Sequence, residues 1–439
     1  MIRQRHSIKT TKDKLLGAEC VRALLCALLL GPAIFAAAAE ETSPQPRDNI
    51  GGEGSFLIAK VEYRGSYKTR IERLEAITGL RAGSATSYEK IAGAEKSLRE
   101  TELYTSVKID VADAEGGKDI VVNLVEKMTL VPLPIAGASS GSTLFGLFVF
   151  NSDFLGSGDS AYAGIVGASH RLTGNLGYFH RAPDSPGYGI NASGGYAKVT
   201  ESDADGSSYA EYGLWSAALS SSLSFQGESP LRLSALADFS WAQPEGEDAR
   251  LLDNEYLVLL PGIGLGYEAL EKRDWFKTGL AAQANYKLGF PLLGDKPYQV
   301  IESKGSYSLS PFGFGDLLLG GSLVSSGAPE PLRPSLMGNG FRTLPWGESF
   351  SSQAGSAYLQ YEAPVINLSW ATFTACSFYE AGSYRMGVDM DAPWHSFSGP
   401  GIGARFYLKN IAIPALGVDC AYNVPERNLI ISAALGFSM

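Results

Sequence analysis

The sequence predicts a mainly β protein: a 16-stranded antiparallel transmembrane β-barrel preceded by one small α/β domain of order β-α-α-β-β. Three observations predict it. A basic N-terminus runs into a short apolar stretch and a string of alanines, the pattern of an export signal. No later stretch reaches the ~20 apolar residues that a spanning helix needs. From Thr129 to Met439 the chain falls into segments of about ten residues with alternating faces, separated by turn residues.

Composition narrows the class further. The 439 residues include 51 glycines, 21 tyrosines and 20 phenylalanines, and glycine is well above its usual ~7%. A net charge of −10 leaves no basic surplus to neutralise phosphates, which excludes nucleic acid as a partner.

Residues 1–39 read as a signal peptide. Arg3, Arg5, Lys9, Lys12, Lys14 and Arg22 precede the apolar run from Ala23 to Phe35, and Ala37 and Ala39 mark the cleavage site. The run is too short for a membrane anchor. A lipoprotein cysteine at Cys20 or Cys26 fits poorly, because hydrophobic sequence continues past Cys26. Residues 40–54, with Pro44 and Pro46, form a polar linker. After export, a chain without a spanning helix can enter a membrane only as a closed barrel, which pairs every backbone group internally.

Residues 55–127 carry mixed periodicity. Phe56 to Tyr63 reads as a strand ended by Gly65, and Ile71, Leu74, Ile77 and Leu80 recur at helical spacing. A second helix opens at Thr86, with Glu89 three residues on as a capping box. Two strands follow: Val107, Ile109 and Val111 alternate with polar residues, then Ile120, Val122 and Leu124 after a turn at Glu115 to Lys118. This order, with Leu103-Tyr104-x-x-Val107 and a closing Glu126, resembles a polypeptide-transport-associated (POTRA) domain. The resemblance implies a periplasmic module that receives extended client segments by strand addition, and an open sheet edge has the unpaired groups for it. A plain spacer is the alternative.

Residues 128–439 form the predicted barrel. Eleven segments lie between 129 and 326, a long segment spans 327–354, and five more end at Met439. An even count of 16 puts the N-terminal domain and the C-terminus on one side, and places 327–354 outside the cell, where barrels keep long loops. Fourteen strands is the alternative. Pro132 and Pro134 suit an edge or seam strand, where a missing N–H costs little.

Four motifs in this region resemble the BamA/TamA-like superfamily of outer-membrane assembly and transport barrels (the bacterial surface-antigen domain). Phe378-Tyr379-Glu380-Ala381-Gly382 is similar to its Phe-x-Asp-Ala-Gly strand ending, and Gly401-Ile402-Gly403-Ala404-Arg405-Phe406 to its Gly-x-Gly-x-Arg-aromatic strand. Ser356 to Val365, with Glu362 and Pro364, and the turn Phe154-Leu155-Gly156-Ser157-Gly158 complete the set. The resemblance implies a long loop folded into the lumen, whose Arg-Gly-aromatic tripeptide pairs its arginine with the strand acid. Here Asn339 precedes Gly340 and Phe341, and Arg342 follows. Asparagine cannot make the bidentate charged pair, so either Arg342 substitutes by a shifted loop or the lock is weaker. The period of two turns Glu362, Glu380 and Arg405 inward, an ionic group able to receive Arg342. It also sets Cys376 inward and Cys420 outward on strands that are not neighbours, against a disulfide.

No catalytic arrangement is visible, and no cofactor or metal is expected. His170, His180 and His395 are scattered, Gly156-Ser157-Gly158 lacks a following lysine and helix, and Asp389 with Asp391 reads as solvated loop. Trp241, Trp275 and Trp346 sit near segment ends, as interfacial anchors do. The expected function is outer-membrane protein insertion or polypeptide translocation, non-enzymatic, with the seam 129–138/429–439 as a lateral gate. Expected partners are unfolded outer-membrane or secreted polypeptides, outer-membrane lipids, and periplasmic chaperones or accessory proteins. A passive porin or receptor is the first alternative. A two-partner secretion transporter is the second, although one POTRA domain stands here where that class shows two.

Overall fold

The computed structural model describes residues 55–435, apart from 140–141, 169–170, 181–185, 203–207, 227–229, 247–254, 274–275, 294–295, 312, 330–331, 333–340, 345–350, 386–392 and 412–415. The signal segment with Ala37 and Ala39, the linker, and Asn339 and Gly340 of the long loop lie outside the described residues.

In the small domain, β1 (Phe56–Ser66) runs parallel to β4 (Gly117–Glu126), which pairs antiparallel with β3 (Tyr104–Ala114). Helices α1 (Ile71–Thr78) and α2 (Tyr88–Glu100) contribute Leu74, Ile91 and Leu98 to a core against Ile58, Ile120 and Val122 of the sheet. A two-residue strand, β2 (Ala85–Thr86), pairs antiparallel with the start of β1 and extends the sheet to order β2-β1-β4-β3. This corrects the expected three strands; two residues are too short to carry a period in sequence. The expected capping box also shifts by one residue. Ser87 is the N-cap of α2, its hydroxyl accepting from the Lys90 amide, while Thr86 belongs to β2. Helix α1 ends at Gly79, whose φ of 65° supplies the left-handed cap.

The barrel consists of β5 (Leu130–Ser139), β6 (Ser142–Asn151), β7 (Ser160–Ala168), β8 (Arg171–His180), β9 (Gly187–Ser202), β10 (Ser208–Gln226), β11 (Leu231–Glu245) and β12 (Tyr256–Arg273). It continues through β13 (Phe276–Leu293), β14 (Tyr298–Leu309), β15 (Asp316–Ser326), β16 (Gln353–Asn367), β17 (Ala371–Arg385), β18 (Trp394–Leu408), β19 (Leu416–Asn423) and β20 (Asn428–Leu435). Each strand pairs antiparallel with its sequence neighbours, and β20 closes on β5. The 16 strands place the long loop after the eleventh, β15, as parity requires.

Side chains alternate as a lipid-facing barrel demands. On β16, Gln360 and Glu362 are buried inside while Leu359 is exposed outside; on β18, Arg405 is inside and Ile402 outside. Strand length varies around the circumference: β10, β12 and β13 have 19, 18 and 18 residues, whereas β14 and β15 have 12 and 11. Cys376 and Cys420 are both free. Cys376 pairs in register with Gly403 and Cys420 with Ile402, so a strand lies between them and they occupy opposite faces.

Candidate functional site in the barrel lumen

The acid of the strand motif is fully buried. Glu380 is 0% exposed on the inner wall of β17, and its Oε2 accepts three hydrogen bonds from the long loop: the Arg342 amide, the Thr343 amide and the Thr343 hydroxyl, each at 2.8 Å. A carboxylate taking several amide donors is a charge-assisted anchor. The loop is thus fastened to the barrel by its backbone. The Arg342 guanidinium does not take part; it donates to Gln360 Oε1 at 2.5 Å and stacks 3.7 Å from the Phe378 ring centroid and 5.1 Å from that of Tyr358. The expected Arg342–Glu380 side-chain pair is corrected accordingly: shifting the arginine puts its amide, not its head group, beside the acid.

Phe341 follows the same inward path. Its ring meets Phe397 edge-on at 5.4 Å, within an apolar cluster that includes Leu344, Ala354 and Tyr384. Gly382 makes this possible, since a Cβ there would lie 2.4 Å from the Phe397 ring and 2.3 Å from the Gly355 carbonyl oxygen. The loop also touches the far wall, where Leu332 packs against clusters formed by Tyr212, Leu214, Tyr256 and Val258.

Glu362 and Arg405 are inside, but each has its own partners. Glu362 accepts from Gln360 Nε2 at 3.0 Å, from the Tyr407 hydroxyl at 2.8 Å and from the Thr374 hydroxyl. Gln360 therefore links Arg342 to Glu362. Arg405, 1% exposed, forms a fork with Asp419 through Nη1–Oδ1 at 2.7 Å and Nη2–Oδ2 at 3.1 Å. The expected single ionic group around Glu362, Glu380 and Arg405 is thus resolved into three adjacent sites. Gly403 allows the fork, because a Cβ there would sit 2.1 Å from Asp419 Oδ1; one at Gly401 would sit 2.1 Å from the Phe378 ring that supports Arg342. The glycines of both motifs are spaces for buried side chains.

This geometry yields a ranked expectation. Glu380→Ala leaves three donors without an acceptor, a loss of about 2–4 kcal/mol. Arg342→Ala keeps both amide bonds and removes only the Gln360 bond and the stacking, about 1 kcal/mol. Midpoints of heat modifiability on a gel should fall further for Glu380→Ala; a larger fall for Arg342→Ala would show that the guanidinium carries the lock.

At the periplasmic end, the first turn grips the small domain. Thr69 Oγ1 donates to Asp153 Oδ2 at 2.8 Å and accepts from the Tyr104 hydroxyl at 2.9 Å, while the Arg70 amide donates to the Gly156 carbonyl at 2.8 Å. Gly156 and Gly158 hold φ of 73° and 75°, and a Cβ on Gly156 would strike the Lys68 carbonyl. Glu126 accepts the Lys68 amide, and burial together with nearby Asp153 pushes its carboxyl up. Lys277 of β13 pairs with Glu102 at 3.4 Å, and the Met128 amide donates to the Asn410 carbonyl at 2.9 Å. The glycine turn and the closing Glu126 were legible as motifs; Thr69, Asp153 and Lys277 carried no such signal.

The seam closes the description. Among the described residues, β20 joins β5 through Ile431–Ala138, Ser432–Gly137 and Ala433–Ala136; residues 436–439, which follow β20, lie outside them. Comparison with solved structures gives BamA from Haemophilus ducreyi lacking POTRA domains 1–3, with TM-score 0.57 and 16% identity over 86% of this chain and 84% of that one. The chain has the fold of a BamA-type outer-membrane barrel. CdiB from Acinetobacter baumannii matches with TM-score 0.57 and 11% identity over 86% of this chain and 74% of that one. CdiB from Escherichia coli matches with 0.53 and 12% over 95% and 98%. No family model and no curated protein matches the sequence. The chain thus shares with these outer-membrane proteins a closed barrel, and its outer face is lined by exposed apolar side chains such as Leu359 and Ile402.

Proposed function

We propose that the chain is a non-catalytic outer-membrane protein-insertion or polypeptide-translocation factor. Its POTRA domain receives extended clients by strand addition, and the β20–β5 seam is the lateral gate. The observation that carries this reading is the seam itself, where the first and last strands of the barrel close on each other through β5 and β20. Pro132 and Pro134 remove two amide donors from β5. The outer edge of β3 has no strand beyond it in the sheet, which suits strand addition.

The test is insertion of an unfolded outer-membrane protein into liposomes that hold the refolded chain. Faster client folding than in empty vesicles is expected, with small, irregular conductance, because Leu332 and Phe341 to Leu344 lie against opposite inner walls. Steady ohmic conductance without faster folding would overturn this reading in favour of a passive porin.

A further inference from the structure

The POTRA domain has a second open strand, remote from the edge of β3. Among the described residues, no strand lies beyond β2 in the sheet. The Ser84 carbonyl accepts from the Ile58 amide at 3.0 Å, and Thr86 stands opposite Phe56. Alternation then turns the N–H and C=O of Ala85 away from β1, toward the outer edge. A half-open groove of about 390 Å³ runs along that edge, between the Thr78–Leu80 turn and one flank of α2, where Lys90, Gly93 and Ser97 line it. The other flank of α2 faces β3, where Arg99 donates to the Val107 carbonyl.

Two features inside the groove ask for an acceptor. Thr86 is 3% exposed and lines the groove, yet its hydroxyl has no hydrogen-bond partner. A buried hydroxyl left unmatched is destabilising, and a ligand oxygen would match it. Lys90 lines the same groove, and no carboxylate among the described residues pairs with it. Gly93 leaves the floor open: a Cβ there meets nothing within 4 Å. We propose that this groove binds an extended polypeptide segment by pairing with β2 at Ala85, and selects an acidic side chain that takes the Thr86 hydroxyl and the Lys90 ammonium together. The inference rests on the polypeptide-handling reading and names the chemistry of the client segment.

The test uses the full refolded chain in detergent micelles and two fluorescein-labelled heptapeptides of alternating valine and threonine. One carries a central aspartate and its twin carries asparagine. Fluorescence polarisation should show the aspartate probe binding roughly tenfold more tightly, with the advantage shrinking as salt rises. Thr86→Val and Lys90→Gln should bring that ratio toward one while the asparagine probe still binds. Gly93→Leu, whose Cβ meets no atom within 4 Å and whose isobutyl group would occupy the groove, should abolish binding of both probes. An unchanged ratio in Thr86→Val and Lys90→Gln, or unchanged binding in Gly93→Leu, overturns the groove. The liposome assay keeps the two readings apart. Client insertion by a protein whose peptide binding ignores Gly93→Leu removes the groove and leaves the function. Groove-dependent binding by a protein that inserts no client does the reverse.

Discussion

Oxidised Gly137→Cys/Ser432→Cys protein should insert no client above the empty-vesicle rate, and reduction should restore full activity. The two residues are register partners at the seam, so a Cβ at 137 faces the same side as Ser432. Cross-strand neighbours have Cα atoms about 4.5–5.5 Å apart, inside the roughly 4.4–6.8 Å that a disulfide spans. Pro132 and Pro134 leave β5 two amide donors short, so opening at β5 costs fewer hydrogen bonds than at a strand with all its donors. A covalent bond at the 137/432 pair removes that route altogether. Cys376 and Cys420 are replaced by alanine in this background, since both are free thiols. The control is Ser193→Cys/Ala218→Cys, a bridge between register partners on β9 and β10. If the control stops insertion as well, whole-barrel stiffness is responsible, and the gate at the seam is lost. Full activity in the oxidised seam variant would equally remove it.

What could be read from sequence and what could not divide along the range of the interactions. The inward setting of Glu362, Glu380 and Arg405 needs only the period of two within one strand, and it was legible. The partner of Arg405 depends on the register between β18 and β19; Asp419 could be set inward from its own strand, but not matched. The loop lock was hidden for a different reason. Two of the three donors to Glu380 are main-chain amides, and every residue but proline offers one. Searching for an arginine therefore looked for the wrong kind of group, and only Thr343 left a side-chain trace. Within the small domain the helices and long strands announced themselves by period, whereas β2 is too short to have one. Yet β2 creates the second open edge and buries the Thr86 hydroxyl, so the piece least visible in sequence bears most on client chemistry.

The largest loss of stability is expected from Arg405→Met. The fork to Asp419 is buried on both sides, with side chains 0% and 1% exposed. Removing the guanidinium strands the Asp419 carboxylate with no compensating cation, a cost of about 3–5 kcal/mol. Arg405→Lys keeps the charge but replaces two parallel bonds by one point contact, so its loss should fall between. Arg405→Met combined with Asp419→Leu removes both charges, and exchanging a buried pair for apolar groups is often neutral or stabilising by about 1–4 kcal/mol. The double variant should therefore recover most of the single variant's loss, as urea-induced unfolding in lipid vesicles would measure. Recovery is the diagnostic outcome. If the double variant is as unstable as Arg405→Met, then the guanidinium acts through something besides Asp419, and Glu362, the other carboxylate whose charge bears on Arg405, becomes the candidate. If it recovers stability yet loses client insertion, the pair is kept for the position it gives β18 and β19 rather than for the strength of the fold. Those strands lead into β20, so a small change in their register would be felt where β20 meets β5 at the seam.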